Sequence, residues 1–110
     1  MSTIRRGPDV TIANGQTTSA AVDLGEGVLV GLQFATMTGT AITVQSAEAI
    51  DGTFVLVALR GGAFSITMAS DRWIALLSEE TRGLGRYVKL ISGSSEGADR
   101  TIKTYVRNIS

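Results

Sequence analysis

Two pairs of carboxylates are spaced so that they could act together on one substrate: Glu48 with Asp51, and the adjacent Glu79 and Glu80. Such pairs are what glycoside hydrolysis uses, one carboxyl as acid and the other as base or nucleophile. Each pair here falls in a turn-like stretch, where acidic side chains are common because they bond the backbone ahead of them. A turn is the plainer reading of both. Other catalytic arrangements are closed off by composition. The 110-residue chain has no histidine and no cysteine, so neither a Ser-His-Asp nor a Cys-His nucleophile can be built, and zinc would need an all-carboxylate site. A serine activated by lysine would have to use Lys89 or Lys103, the two lysines present, and both fall inside strand-like segments without an adjacent serine motif. Calcium needs six or more oxygens, and the acidic residues are scattered. Gly61-Gly62 and Gly83-Leu84-Gly85 do not open a helix after a strand and so read as loop glycines rather than phosphate cradles. The expectation is a protein that is not an enzyme and has neither cofactor nor metal site.

The elements that would position any such residues are strands. Short runs of Val, Ile, Thr and Ser recur between turn signals, with thirteen glycines in all, the pattern of a sandwich or barrel. Asp9–Ala13 reads as a strand closed by the tight-turn dipeptide Asn14-Gly15, and Thr18–Leu24 as a weak one. The strongest spans Gly27–Ala35, with Val28, Val30, Leu32 and Phe34 expected on the core side. Ala41–Ser46 turns Ile42 and Val44 inward, and Ala63–Met68 turns Phe64, Ile66 and Met68 inward. Asp51-Gly52 signals a further turn, its glycine expected in the left-handed conformation. Near the end, Val88 and Leu90 alternate with Tyr87, Lys89 and Ile91, while Ile102, Thr104 and Val106 alternate with Thr101, Lys103, Tyr105 and Arg107. Together these predict an all-β, antiparallel sandwich of about eight to nine strands, with residues 9–110 as one domain and residues 1–8 as a flexible arm.

Two runs depart from the one-wet-face pattern. Phe54–Leu59 and Trp73–Leu77 are apolar on both faces, which a small antiparallel sandwich accommodates only where another chain, arm or loop covers the outside. A short helix over residues 73–80 would explain the second run as well. Hydrophobic residues make up 44% of the chain, charged ones 18%, and the net charge is zero, a surface sparse in charge for a free monomer. The balance also lacks the basic excess of a nucleic-acid or anionic-membrane binder. The leading residues lack the apolar core of a signal peptide, and no segment reaches the ~20 apolar residues of a membrane helix, so synthesis in a cytoplasm is expected. Eight of the ten basic residues are arginine, the cation suited to desolvated pairing at interfaces. The predicted contact residues are Arg5 and Arg6 on the arm, Trp73 in the two-sided run, the outward Tyr87 and Tyr105, and Arg107 beside them, since aromatic rings bury much area at low entropic cost.

The order of these features resembles a group of small phage virion proteins. The likeness runs through Val10-Thr11-Ile12-Ala13, Gly27-Val28-Leu29-Val30-Gly31-Leu32, Ile42-Thr43-Val44-Gln45-Ser46, Asp51-Gly52-Thr53-Phe54, Arg86-Tyr87-Val88-Lys89-Leu90-Ile91-Ser92-Gly93 and Asp99-Arg100-Thr101-Ile102. It is similar also to discoidin-like jelly rolls, in which an Asp-Gly turn and an Arg-Tyr-Val strand hold comparable places. The resemblance implies a jelly-roll sandwich acting as a capsid decoration, or cement, protein: a homo-oligomer, expected as a trimer, bound to the major capsid protein on the outer surface of a tailed-phage head. A tail or baseplate subunit is the neighbouring implication. From a different class, a glycan-binding adhesion module stays open on Trp73 and Tyr105.

Overall fold

The computed structural model describes residues 4–25, 27–59, 62–68, 70–76 and 84–108. The chain forms twelve strands and no helix among them: β1 (Ile4–Arg6), β2 (Val10–Ile12), β3 (Val22–Asp23), β4 (Gly27–Gln33), β5 (Ala41–Ala47), β6 (Val55–Leu56), β7 (Ala58–Leu59), β8 (Gly62–Ala63), β9 (Ser65–Thr67), β10 (Trp73–Ala75), β11 (Tyr87–Ser92) and β12 (Arg100–Asn108). One sheet runs β1-β12-β4-β10 with β2 also on β12; the other runs β3-β11-β5-β6 with β9 also on β5; β7 and β8 form a small separate hairpin. Every pairing is antiparallel. The orders β2-β12-β4-β10 and β3-β11-β5-β9 interleave early and late strands across two sheets, which is the jelly-roll arrangement. The expected antiparallel sandwich is therefore present.

The strands number more than expected because two predicted runs are interrupted and residues expected as an arm supply β1. Phe54–Leu59 is divided at Val57 into β6 and β7, although the Val57 N–H still continues the β5–β6 ladder by bonding the Val44 carbonyl at 2.8 Å. The Ala63–Met68 run breaks at Phe64, which is buried at 1% exposure. At residues 73–75 the double-sided run is strand, paired Trp73 to Gln33 and Ala75 to Gly31, so the helical alternative fails there; residues 77–80 lie outside the described residues. Asn14-Gly15 makes its turn with Gly15 at a φ of 81°, but β2 goes on to pair with β12, a corner rather than a hairpin. At Asp51-Gly52 the Gly52 N–H bonds the Ala49 carbonyl at 3.0 Å. That closes a turn one residue earlier than expected, and Gly52 does not have a positive φ.

Residues 4–8, expected as an arm, run along β12 of their own chain. β1 pairs Arg6 with Tyr105, the Gly7 N–H bonds the Thr104 carbonyl at 2.9 Å, and the buried Thr104 hydroxyl donates to the Pro8 carbonyl at 2.6 Å. These bonds satisfy an inward-pointing polar residue that would otherwise be costly.

Both sheets contribute to one core, including Ile12, Leu32, Ile42, Val44, Leu90 and Ile102, none more than 1% exposed. β5, β11 and β12 alternate as expected. β4 does not, because its register against β12 jumps: Tyr105 faces Gly31, and Val106 faces Leu29. Val30 is the extra residue of a bulge, and a one-residue slip exchanges the faces of everything beyond it. Leu32 and Phe34 point inward as expected, Leu29 takes the next core place at 1% exposure, and Val28 pairs with Arg107 on the other side of the sheet, where it is still buried at 9% exposure.

One end of the sandwich is closed by a buried carboxylate. Glu96 is 1% exposed. It accepts from the backbone N–H groups of Thr38 (2.8 Å) and Gly39 (3.0 Å), the Ser92 hydroxyl (2.7 Å) and Arg100 Nε (3.2 Å). Its own backbone bonds Gly15 and Gln16. Three loops are thereby fastened at one point. Burial pushes the Glu96 carboxyl up, but the Thr38, Ser92, Gly39 and Arg100 donors outweigh it and hold the group below its usual 4.5.

Candidate interaction face

The outer side of the first sheet gathers four of the six predicted contact residues. Residues directly opposite on antiparallel strands share a face, so the pairing places Ile4 with Arg107, Arg6 with Tyr105 and Trp73 with Gln33 on the side away from the core. Across the intervening β4, the rings of Trp73 and Tyr105 meet with centroids 4.0 Å apart and planes 21° from parallel. Gly31 makes this possible: a Cβ there would come 2.8 Å from Trp73 Nε1, so the indole rests on bare backbone. The Tyr105 hydroxyl is 3.1 Å from Gln33 Oε1 and donates to it, fixing the lower ring. Trp73 is nevertheless 52% exposed. An aromatic that is locked in place and still half in solvent has already lost the rotamer freedom that binding would otherwise cost.

The same face is cationic. Arg6 is paired with Asp9, whereas Lys103 and Arg107 are exposed and form no ion pair among the described residues. The chain's zero net charge hides this local excess. Arg5 is the partner of Val106 and so lies on the opposite side of β1 from Arg6. Tyr87 is not part of the cluster at all. It belongs to β11 in the second sheet, opposite Asp23 and Ala47, with the Arg86 guanidinium 5.5 Å from its ring centroid. Arg86 is held there by a two-pronged bond to the Asp23 carboxylate at 2.7 and 2.9 Å.

A second exposed apolar region lies on the β5–β6 hairpin. Ile50, Val55 and Leu56 are 56%, 62% and 57% exposed, beside an open depression of about 530 Å³ lined by Ser46, Glu48, Ala49, Gly52, Thr53 and Gly85. Glu48 and Asp51 are exposed on this tip; Glu79 and Glu80 lie outside the described residues. Among the described residues no three His, Cys, Asp or Glu side chains gather as metal ligands would.

Sequence reasoning named the individual aromatics but not their stacking, nor the hairpin tip. The cue for the first was Gly31 inside a strong strand, since an interior strand glycine often marks a bulge or a close approach. No protein-family model, curated protein or solved structure matches the chain.

Proposed function

We propose that the chain is a structural virion protein, a capsid decoration or cement protein that binds the outer surface of a tailed-phage head as a trimer and stabilises the shell. The observation that carries this reading is the Trp73–Tyr105 stack left open on a cationic sheet face. It is a preformed contact surface on a chain without histidine or cysteine. Interfaces concentrate their energy in such aromatic and arginine anchors. The major capsid protein is the proposed partner, and the virion surface the proposed location after synthesis in the host cytoplasm. A protein that binds only the assembled, expanded shell stabilises that state by mass action, and several modest contacts per oligomer multiply through effective concentration. No chemical step is involved.

Sugar binding is less well supported by the same rings. Trp73 and Tyr105 have each given one face to the other at 4.0 Å, so they do not form the broad, side-by-side platform on which successive sugar rings stack. A tail or baseplate subunit is the neighbouring reading, with a tail protein in place of the major capsid protein as the partner.

The test adds the purified chain to expanded heads of the phage that encodes it, assembled without it. Saturable co-sedimentation at a fixed number of copies per head is expected, with a higher temperature of genome release. Binding to isolated tails, or no binding to either, overturns the reading. Retention on a glycan array that Trp73→Ala abolishes would establish the adhesion module instead.

A further inference from the structure

We infer that copies of this chain join head to tail, the aromatic, cationic face of one receiving the acidic, aliphatic β5–β6 tip of the next. This rests on the assembly reading above and names its partner surface: a second copy of the same chain.

Among the described residues the large exposed hydrophobics fall in two places. Ile4 and Trp73 lie on the outer face of the first sheet; Ile50, Val55 and Leu56 lie on the hairpin of the second. Charge divides in the same way. Lys103 and Arg107 stand on the first without ion-pair partners among the described residues. Residues 41–59 contain Glu48 and Asp51 and no basic residue; Lys89 of the adjacent β11 lies 4.5 Å from the Phe54 ring centroid, so the two carboxylates outnumber the one cation set against the hairpin. Either patch laid on its own kind would bring like charges together around an apolar centre, which costs affinity and rejects that pairing. Face against tip brings opposite charges around the same apolar contact, an apolar centre with a charged rim.

The two patches belong to different sheets, and the outer face of the first points away from the second. A copy seated on the face therefore leaves the tip free for another copy. Such a contact is heterologous, and it ends in a ring when the rotation it imposes closes.

The test uses the full chain and three variants: Lys103→Glu with Arg107→Glu, Glu48→Lys with Asp51→Lys, and all four substitutions together. The four positions are exposed, so circular dichroism should report an unchanged fold. Light scattering coupled to size exclusion then gives the mass. The wild type is expected as a closed oligomer of three or more copies, each two-residue reversal as an 11.5 kDa monomer, and the fourfold variant as the wild-type oligomer restored. Should a reversal unfold, Lys103→Gln with Arg107→Gln reads the same contact, and a lowered mass at equal concentration is expected. A wild-type monomer or dimer overturns the inference, as does a folded reversal whose mass is unchanged or a folded fourfold variant that stays monomeric. Head binding separates this result from the virion reading. A monomer that still decorates heads defeats only the head-to-tail contact, and an oligomer that ignores heads defeats only the capsid assignment.

Discussion

The Glu96 cluster and the Trp73 face treat their polar and apolar groups in opposite ways. At Glu96, both carboxylate oxygens are buried and fully bonded, by donors as far as 58 residues from it in sequence. On the first sheet's outer face, by contrast, a tryptophan is fixed in position but 52% exposed. Two cations stand nearby without ion-pair partners among the described residues. The first region is complete within one chain and serves stability. The second is rigid but leaves apolar area in solvent, and it is the surface proposed above to meet another chain.

The largest expected effect comes from breaking the complete region. Glu96→Ala leaves the Thr38 and Gly39 N–H groups and Arg100, whose side chain is 19% exposed, without their acceptor, and removal of one partner from a buried charged cluster costs about 3–5 kcal/mol. Urea unfolding monitored by circular dichroism should show that loss with the strands otherwise retained. A change under about 1 kcal/mol, the size of an exposed ion pair, would mean that the cluster is no more than a surface salt bridge.

Acid should act on the same cluster more gradually. The folded Glu96 carboxyl is held below its usual 4.5, so its contribution is fully present above the unfolded value and is lost as pH falls through the folded one. The Asp23 carboxyl is lowered too, by the Arg86 guanidinium first and then the Gly25 N–H, and works in the same sense. The melting temperature is therefore expected to drop below about pH 4.5. Glu96→Gln should be less stable at neutral pH and lose less on acidification. Equal slopes for variant and wild type would remove Glu96 from the explanation.

What could be read from the sequence follows the same division. Strands with one wet face, such as β5, β11 and β12, declared their inward residues by alternation, because a period of two maps directly onto a half-buried sheet. β4 misled because the bulge at Val30 reverses that period midway and alternation cannot signal it. Arg5 and Arg6 read as an arm because three residues are too few to show a strand pattern, and only the bonds to β12 reveal one. Tyr105 was legible as an outward-pointing aromatic and Trp73 as part of a two-sided apolar run. Their union depends on register, with Gly31, on a strand distant in sequence from both, supplying the seat. Glu96 was not legible because its partners Thr38 and Gly39 come from a distant loop.

Trp73→Ala is expected to have the smallest effect on folding and the sharpest on assembly, and so it tests the central claim most directly. The ring's stack on Tyr105 is worth about 1 kcal/mol to the chain itself, so the urea midpoint should move little. The mass by light scattering, taken on the same samples as the wild type, is predicted to fall from the oligomer to the monomer. A wild type that is already monomeric, or a folded Trp73→Ala variant that keeps the wild-type mass, would contradict the assignment of this face to assembly.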